Sequence, residues 1–96
     1  MNSPPMAEFL DMIKKKYEGF ANPTMYRIVK IPDDGSSSVF CDMEIVWKYD
    51  DLCVKMFDLD VSGWEIVRVT DDEAHQSIGC LYNLSNVVTI RMARMI

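Results

Sequence analysis

Histidine, clustered cysteine, glycine-rich loops and long apolar runs are all scarce or missing in this 96-residue chain. Each absence removes a class of function. There is one histidine, His75, and there are three scattered cysteines, Cys41, Cys53 and Cys80. An odd, unclustered set of cysteines gives neither a disulfide framework nor a zinc site, and it suits a reducing cytoplasm. A Cys–His nucleophile needs spatial adjacency and an orienting third group, and nothing in the spacing supplies them. No glycine-rich phosphate loop and no Gly-x-Ser-x-Gly elbow occurs among the four glycines. No apolar run approaches the ~20 residues that span a bilayer. The opening Met1-Asn2-Ser3-Pro4-Pro5 lacks the basic and apolar regions of a secretory signal. No catalytic role, cofactor or metal is expected.

Basic residues are also scarce where acidic ones gather. Between Asp33 and Glu73, twelve acids face three bases, Lys48, Lys55 and Arg68, which leaves a local charge of −9 within an overall −5. Both flanks are net basic. This balance argues against direct nucleic-acid binding, which needs cations to neutralise phosphates. It favours a protein partner with a basic surface.

What is present is apolar enough to fold. Nearly half the residues are hydrophobic, and the length, 1–96, suits one domain of the usual roughly 100–150 residues. Met6, Phe9, Leu10, Ile13 and Tyr17 form one stripe at helical period, with Ser3 as a cap, Pro4 in the first turn and Gly19 as a stop. Met25 to Ile31 reads as a strand, and Pro32-Asp33-Asp34-Gly35 as a turn. Val39 to Tyr49 alternates. Val39, Cys41, Met43, Ile45, Trp47 and Tyr49 are expected inward, and Phe40, Asp42, Glu44, Val46 and Lys48 outward. Asp50-Asp51 fits a hairpin loop, and Leu52, Val54 and Met56 a returning strand. Asp58 to Gly63 is the next turn. Its Asp-x-Asp-x-Ser-Gly start resembles an EF-hand loop, but Val69 stands where the terminal glutamate is required, so no calcium site is expected.

Trp64 to Thr70 is a strand whose broken alternation calls for a bulge or two-sided burial. Thr70-Asp71-Asp72-Glu73 has the form of a capping box and predicts a short helix from about Asp71 to Ile78, with His75 on its surface. Cys80 to Leu84 fits strand or loop. Asn86 to Ile96 reads as a last strand, with Val88, Ile90 and Met92 on one face and an open edge. Met95 and Ile96 are placed as exposed. The fold expected is α+β: an N-terminal helix on an antiparallel meander of four to five strands, with a second short helix before the last strand.

In that meander the acids collect into a band over one face and both ends of the sheet. Asp33, Asp34, Asp42, Glu44, Asp50, Asp51, Asp71, Asp72 and Glu73 are the candidate partner-binding residues. The corresponding function is a small acidic inhibitor that docks on a nuclease, helicase or similar basic enzyme, as phage anti-defence inhibitors do. An immunity protein or antitoxin fits the same charge pattern. A structural subunit that builds a homo-oligomer, such as a homodimer through an open edge or face, is the alternative of another class.

Overall fold

The computed structural model describes residues 5–19, 23–31, 42–73 and 83–94. Two helices and four strands follow in the order α1 (Met6–Tyr17), β1 (Met25–Ile31), β2 (Asp42–Val46), α2 (Tyr49–Val61), β3 (Trp64–Glu73) and β4 (Asn86–Arg94). The class is α+β, and the sheet is mixed rather than an antiparallel meander. Its order is β2-β1-β4-β3. The central pair β1 and β4 is parallel, and each outer strand is antiparallel to its neighbour. The last strand is therefore interior, not an edge. Its side chains explain why: Val88, Ile90 and Met92 are fully buried on one face, and Thr89 is buried on the other.

The first helix forms as its stripe predicts. Met6, Phe9, Leu10 and Ile13 are buried, Tyr17 packs partly against them, and the last turn carries Lys14, Lys15 and Lys16. Cations there complement the negative end of the helix dipole. The cap position is Pro5, with no side-chain capping bond; Ser3 lies outside the described residues. Gly19 stops the helix with φ 88°, in the left-handed region that favours glycine.

The second helix replaces the expected hairpin. Tyr49 to Val61 buries Leu52, Met56 and Leu59 at i, i+4 and i+7, and leaves Val54 in solvent. Asp50 and Asp51 stand in its first turn, where the helix dipole favours acids. Asp58 to Val61 is consequently helix rather than turn. The end is closed by Ser62 N–H to the Asp58 carbonyl and Gly63 N–H to the Asp60 carbonyl, both at 3.1 Å. Gly63 takes φ 92°.

Starting α2 at Tyr49 shortens β2 and sets its faces. Val46 pairs with Tyr26 and Glu44 with Ile28, so both face the helices. Met43 and Ile45 lie on the opposite face, 51% and 46% exposed, and Trp47 is exposed beyond the strand end. This inverts the expected orientation. Leu10 packs into the core with Val46, not against Met43, Ile45 and Trp47. Glu44 tolerates the inward side because Lys55 of α2 reaches its Oε1 at 3.0 Å.

One core joins the helices to the sheet. Phe9, Leu10 and Ile13 of α1, Leu52, Met56 and Leu59 of α2, and Ile28, Val88, Ile90 and Met92 of the central strands meet in it. Burying side chains of this size contributes about 1.5–3 kcal/mol each. A smaller cluster of Met25, Leu84 and Val87 closes the start of the central pair. In β3 the register shifts between Ile66 and Arg68, which makes Val67 the bulged residue, the first of the two readings that the broken alternation allowed.

Beyond the bulge, Thr70 to Glu73 pairs with Asn86 to Thr89 as strand instead of opening a helix. A neighbouring strand offers ladder partners to the same backbone groups that a helix would need, and here the ladder wins. The rest of that expected helix, with His75, lies outside the described residues. So do Cys80, the Pro32–Gly35 turn with Asp33 and Asp34, the start of the long strand with Phe40 and Cys41, and Met95 with Ile96.

Candidate interaction surface

An α-helix turns about 100° per residue, so the register that buries Leu52, Met56 and Leu59 fixes what α2 shows to solvent. Asp50, Val54, Phe57 and Val61 fall along one outward line at i, i+4, i+7 and i+11. The three apolar members are 72%, 46% and 87% exposed. Asp51 and Asp58 flank the line on one side and Asp60 on the other, all exposed. None of these four aspartates is held in an ion pair with a described residue. The one lysine of the helix, Lys55, turns to Glu44. The outer face of α2 is thus an apolar ridge between carboxylates that no described residue pairs.

Two of those carboxylates sit where the helix disfavours them. The C-terminal end of a helix carries partial negative charge, which favours cations there and disfavours acids. Asp58 and Asp60 occupy the last turn of α2, and no basic residue joins them. Being two apart, they project to different sides of the helix, so they do not converge on one ion. Ser62 Oγ donates to the backbone carbonyl of Asp58, at 2.9 Å. Among the described residues, no three metal-ligating side chains gather.

The structure separates the acids that the sequence grouped. Glu44 is committed to Lys55. Asp71 faces the helices, where Lys16 Nζ lies 2.9 Å away and Asn86 Nδ2 donates at 2.8 Å. Burial pushes the Asp71 carboxyl upward. Hydrogen bonds from Tyr17, Lys16 and Asn86 outweigh this and hold it below its usual value. Asp72 is exposed on the opposite face of the sheet, and Asp42 and Glu73 lie in the two edge strands, opposite Lys30 and Asn86. Asp33 and Asp34 lie outside the described residues. Only Asp50 and Asp51 of the sequence candidates fall on the α2 face. Val54, Phe57, Asp58, Asp60 and Val61 join them there. The signal that finds them is the 3.6-residue spacing of Leu52, Met56 and Leu59.

The sheet face turned away from the helices is mixed. Met43, Ile45 and Val29 lie there beside Arg27, whose Nε donates to Thr89 Oγ1 at 3.1 Å. Arg91 Nη1 reaches Thr70 Oγ1 at 3.2 Å, and the bulge leaves Val67 exposed.

A pocket of about 250 Å³ opens where the end of α1 meets the start of α2. It is lined by Lys14, Tyr17 and Glu18 of the α1 terminus, Tyr26 of β1 and Tyr49 of α2. Tyr49 donates from its hydroxyl to the Leu10 carbonyl at 2.8 Å, which pins the two helices together. Burial and a hydrogen bond with Cys53 push the Tyr49 phenol up to about 12. Burial also raises Tyr17 and Tyr26, with Asp71 adding to the rise at Tyr17. Cys53 is half-buried beside these rings.

Comparison of the chain with protein-family models, curated proteins and solved structures found no match. Among the described residues, no helix is long and apolar enough to cross a membrane.

Proposed function

We propose that this chain is a small acidic inhibitor that docks through the outer face of α2 onto a protein partner and blocks it. The partner carries an apolar groove rimmed by basic residues. Enzymes that process nucleic acid carry the basic residues, because their grooves must neutralise phosphates. The observation that carries the reading is the ridge of Val54, Phe57 and Val61 set among Asp50, Asp51, Asp58 and Asp60. Amphipathic helices recognised in grooves use anchors at this i, i+3, i+4, i+7 spacing. The acids add charge complementarity and speed encounter with a basic surface. Asp58 and Asp60 oppose the dipole of the helix that bears them, and a basic partner surface would account for their placement. The same surface serves a phage inhibitor of a host enzyme and an immunity protein of a toxin equally well.

Parallel captures from native host lysate at low and high salt test this reading. Wild-type chain is compared with Val54→Ser/Phe57→Ser and with Asp50→Asn/Asp51→Asn. A basic protein held by wild type at low salt, released at high salt and lost by both variants supports it. A captured protein retained equally by all three refutes it.

A homo-oligomeric subunit is the second reading. The exposed Met43, Ile45 and Val67 on the sheet side turned away from the helices favour it. Self-association of the purified chain that is abolished by Ile45→Asp, with α2 variants unaffected, would select it.

A further inference from the structure

We propose that the pocket between α1 and α2 receives the cationic side chain of a lysine or arginine from the basic partner. This rests on the docking reading above and adds to it the chemistry of an anchor. Three tyrosine rings, Tyr17, Tyr26 and Tyr49, line a space of about 250 Å³. That is below the ~300–1,000 Å³ of pockets for whole small ligands, and it suits a single side chain.

The electrostatics select a cation. Aromatic faces are negative and attract ammonium and guanidinium groups within about 6 Å of the ring centroid. The chain's own lysines already show that preference: Lys14 Nζ lies 5.9 Å from the Tyr49 centroid and Lys16 Nζ 5.7 Å from that of Tyr17. The pocket stands at the C-terminal end of α1, where the helix dipole favours cations and the chain already places Lys14, Lys15 and Lys16. Glu18 is among the lining residues and brings a carboxylate. Among the described residues, Lys14 is the one cation lining the pocket. It is exposed at the surface, so a guest displaces it into water at little cost. Asp50 follows Tyr49 at the start of α2, so an anchor in the pocket lies next to the beginning of the docking ridge.

The test uses the whole chain and two probes of matched shape, N-acetyl-arginine amide and its neutral analogue N-acetyl-citrulline amide. Each is titrated while the ring resonances of Tyr17, Tyr26 and Tyr49 are followed by NMR. The arginine probe is expected to shift these resonances saturably and the citrulline probe to leave them in place. Tyr49→Leu should abolish the response. Lys14→Ala should tighten it about threefold, since the resident cation no longer competes. Phe57→Ser should leave it unchanged, which separates this site from the ridge. Equal shifts with both probes, or arginine shifts confined to Asp50, Asp51, Asp58 and Asp60, would overturn the proposal. Because a folding defect in Tyr49→Leu would mimic lost binding, Glu18→Gln is the second variant. It should weaken arginine binding without altering the amide spectrum, and undiminished binding in it counts against the pocket.

Discussion

Changing Asp58 and Asp60 together to asparagine should make the protein more stable. Both carboxylates lie in the last turn of α2, where they face the negative end of the helix dipole with no basic residue in that turn. A misplaced exposed charge of this kind costs about 0.3–1 kcal/mol at low ionic strength. Asparagine and aspartate have similar helix propensities, so propensity does not confound the change. The Ser62 bond to the Asp58 carbonyl uses the backbone and survives. A gain of about 1 kcal/mol for the pair corresponds to a rise of roughly 4–8 °C in Tm for a domain this size. Asp50→Asn with Asp51→Asn is the mirror experiment. Those acids sit in the first turn, where the dipole favours them, and their loss should lower Tm by a comparable amount. Thermal melts at low ionic strength read both, and added salt should shrink both shifts. Shifts of the same sign would refute the dipole reasoning, and with it the claim that the C-terminal acids serve something other than the helix.

Further outcomes follow from the packing and the ion pairs. Met56→Ala should destabilise by about 2–5 kcal/mol, the usual range for a buried methionine, while Val54→Ala should change the urea midpoint little. A returning strand would bury both, so equal losses would contradict the helix. Asp71 has a lowered carboxyl pKa in the fold, so its contribution is complete above the ordinary value of 3.8 and is lost as pH falls through the lower folded value. Asp71→Asn should therefore be less stable than wild type at neutral pH, and the difference should close at low pH. A gap that stays constant from neutral to strong acid would contradict that assignment.

The parts of the fold legible in the sequence are those with a single strong period. The α1 stripe at Met6, Phe9, Leu10 and Ile13 admits no other reading. The inward set Val88, Ile90 and Met92 is likewise unambiguous, whereas the out-of-phase Ile66, Val67 and Arg68 admit either a bulge or two-sided burial, and the structure has the bulge. Leu52 to Met56 carries two periods at once. Leu52, Val54 and Met56 alternate, and Leu52, Met56 and Leu59 recur at helical spacing. Length decides between them, because thirteen residues without glycine or proline exceed a typical strand. Once that stretch is a helix, β2 must end before Tyr49 and the faces of Met43 and Glu44 follow. The capping-box pattern at Thr70–Glu73 was overridden by pairing with Asn86 to Thr89, a contact between segments distant in sequence. The parallel alignment of β1 with β4 is of the same kind and leaves no local mark. Asp50 and Asp51 stand out in the sequence by their charge alone, whereas Val54, Phe57 and Val61 become a surface only on a helix.

The most direct measurement is the association of the purified chain with its captured partner, followed by stopped flow or surface binding over a range of salt. Asp50→Asn/Asp51→Asn and Asp58→Asn/Asp60→Asn should each slow association and flatten its dependence on salt. Phe57→Ala should leave association nearly unchanged and speed dissociation, as expected for an apolar anchor. Rates that match wild type for all three variants at every salt concentration would contradict the assignment of α2 as the docking face.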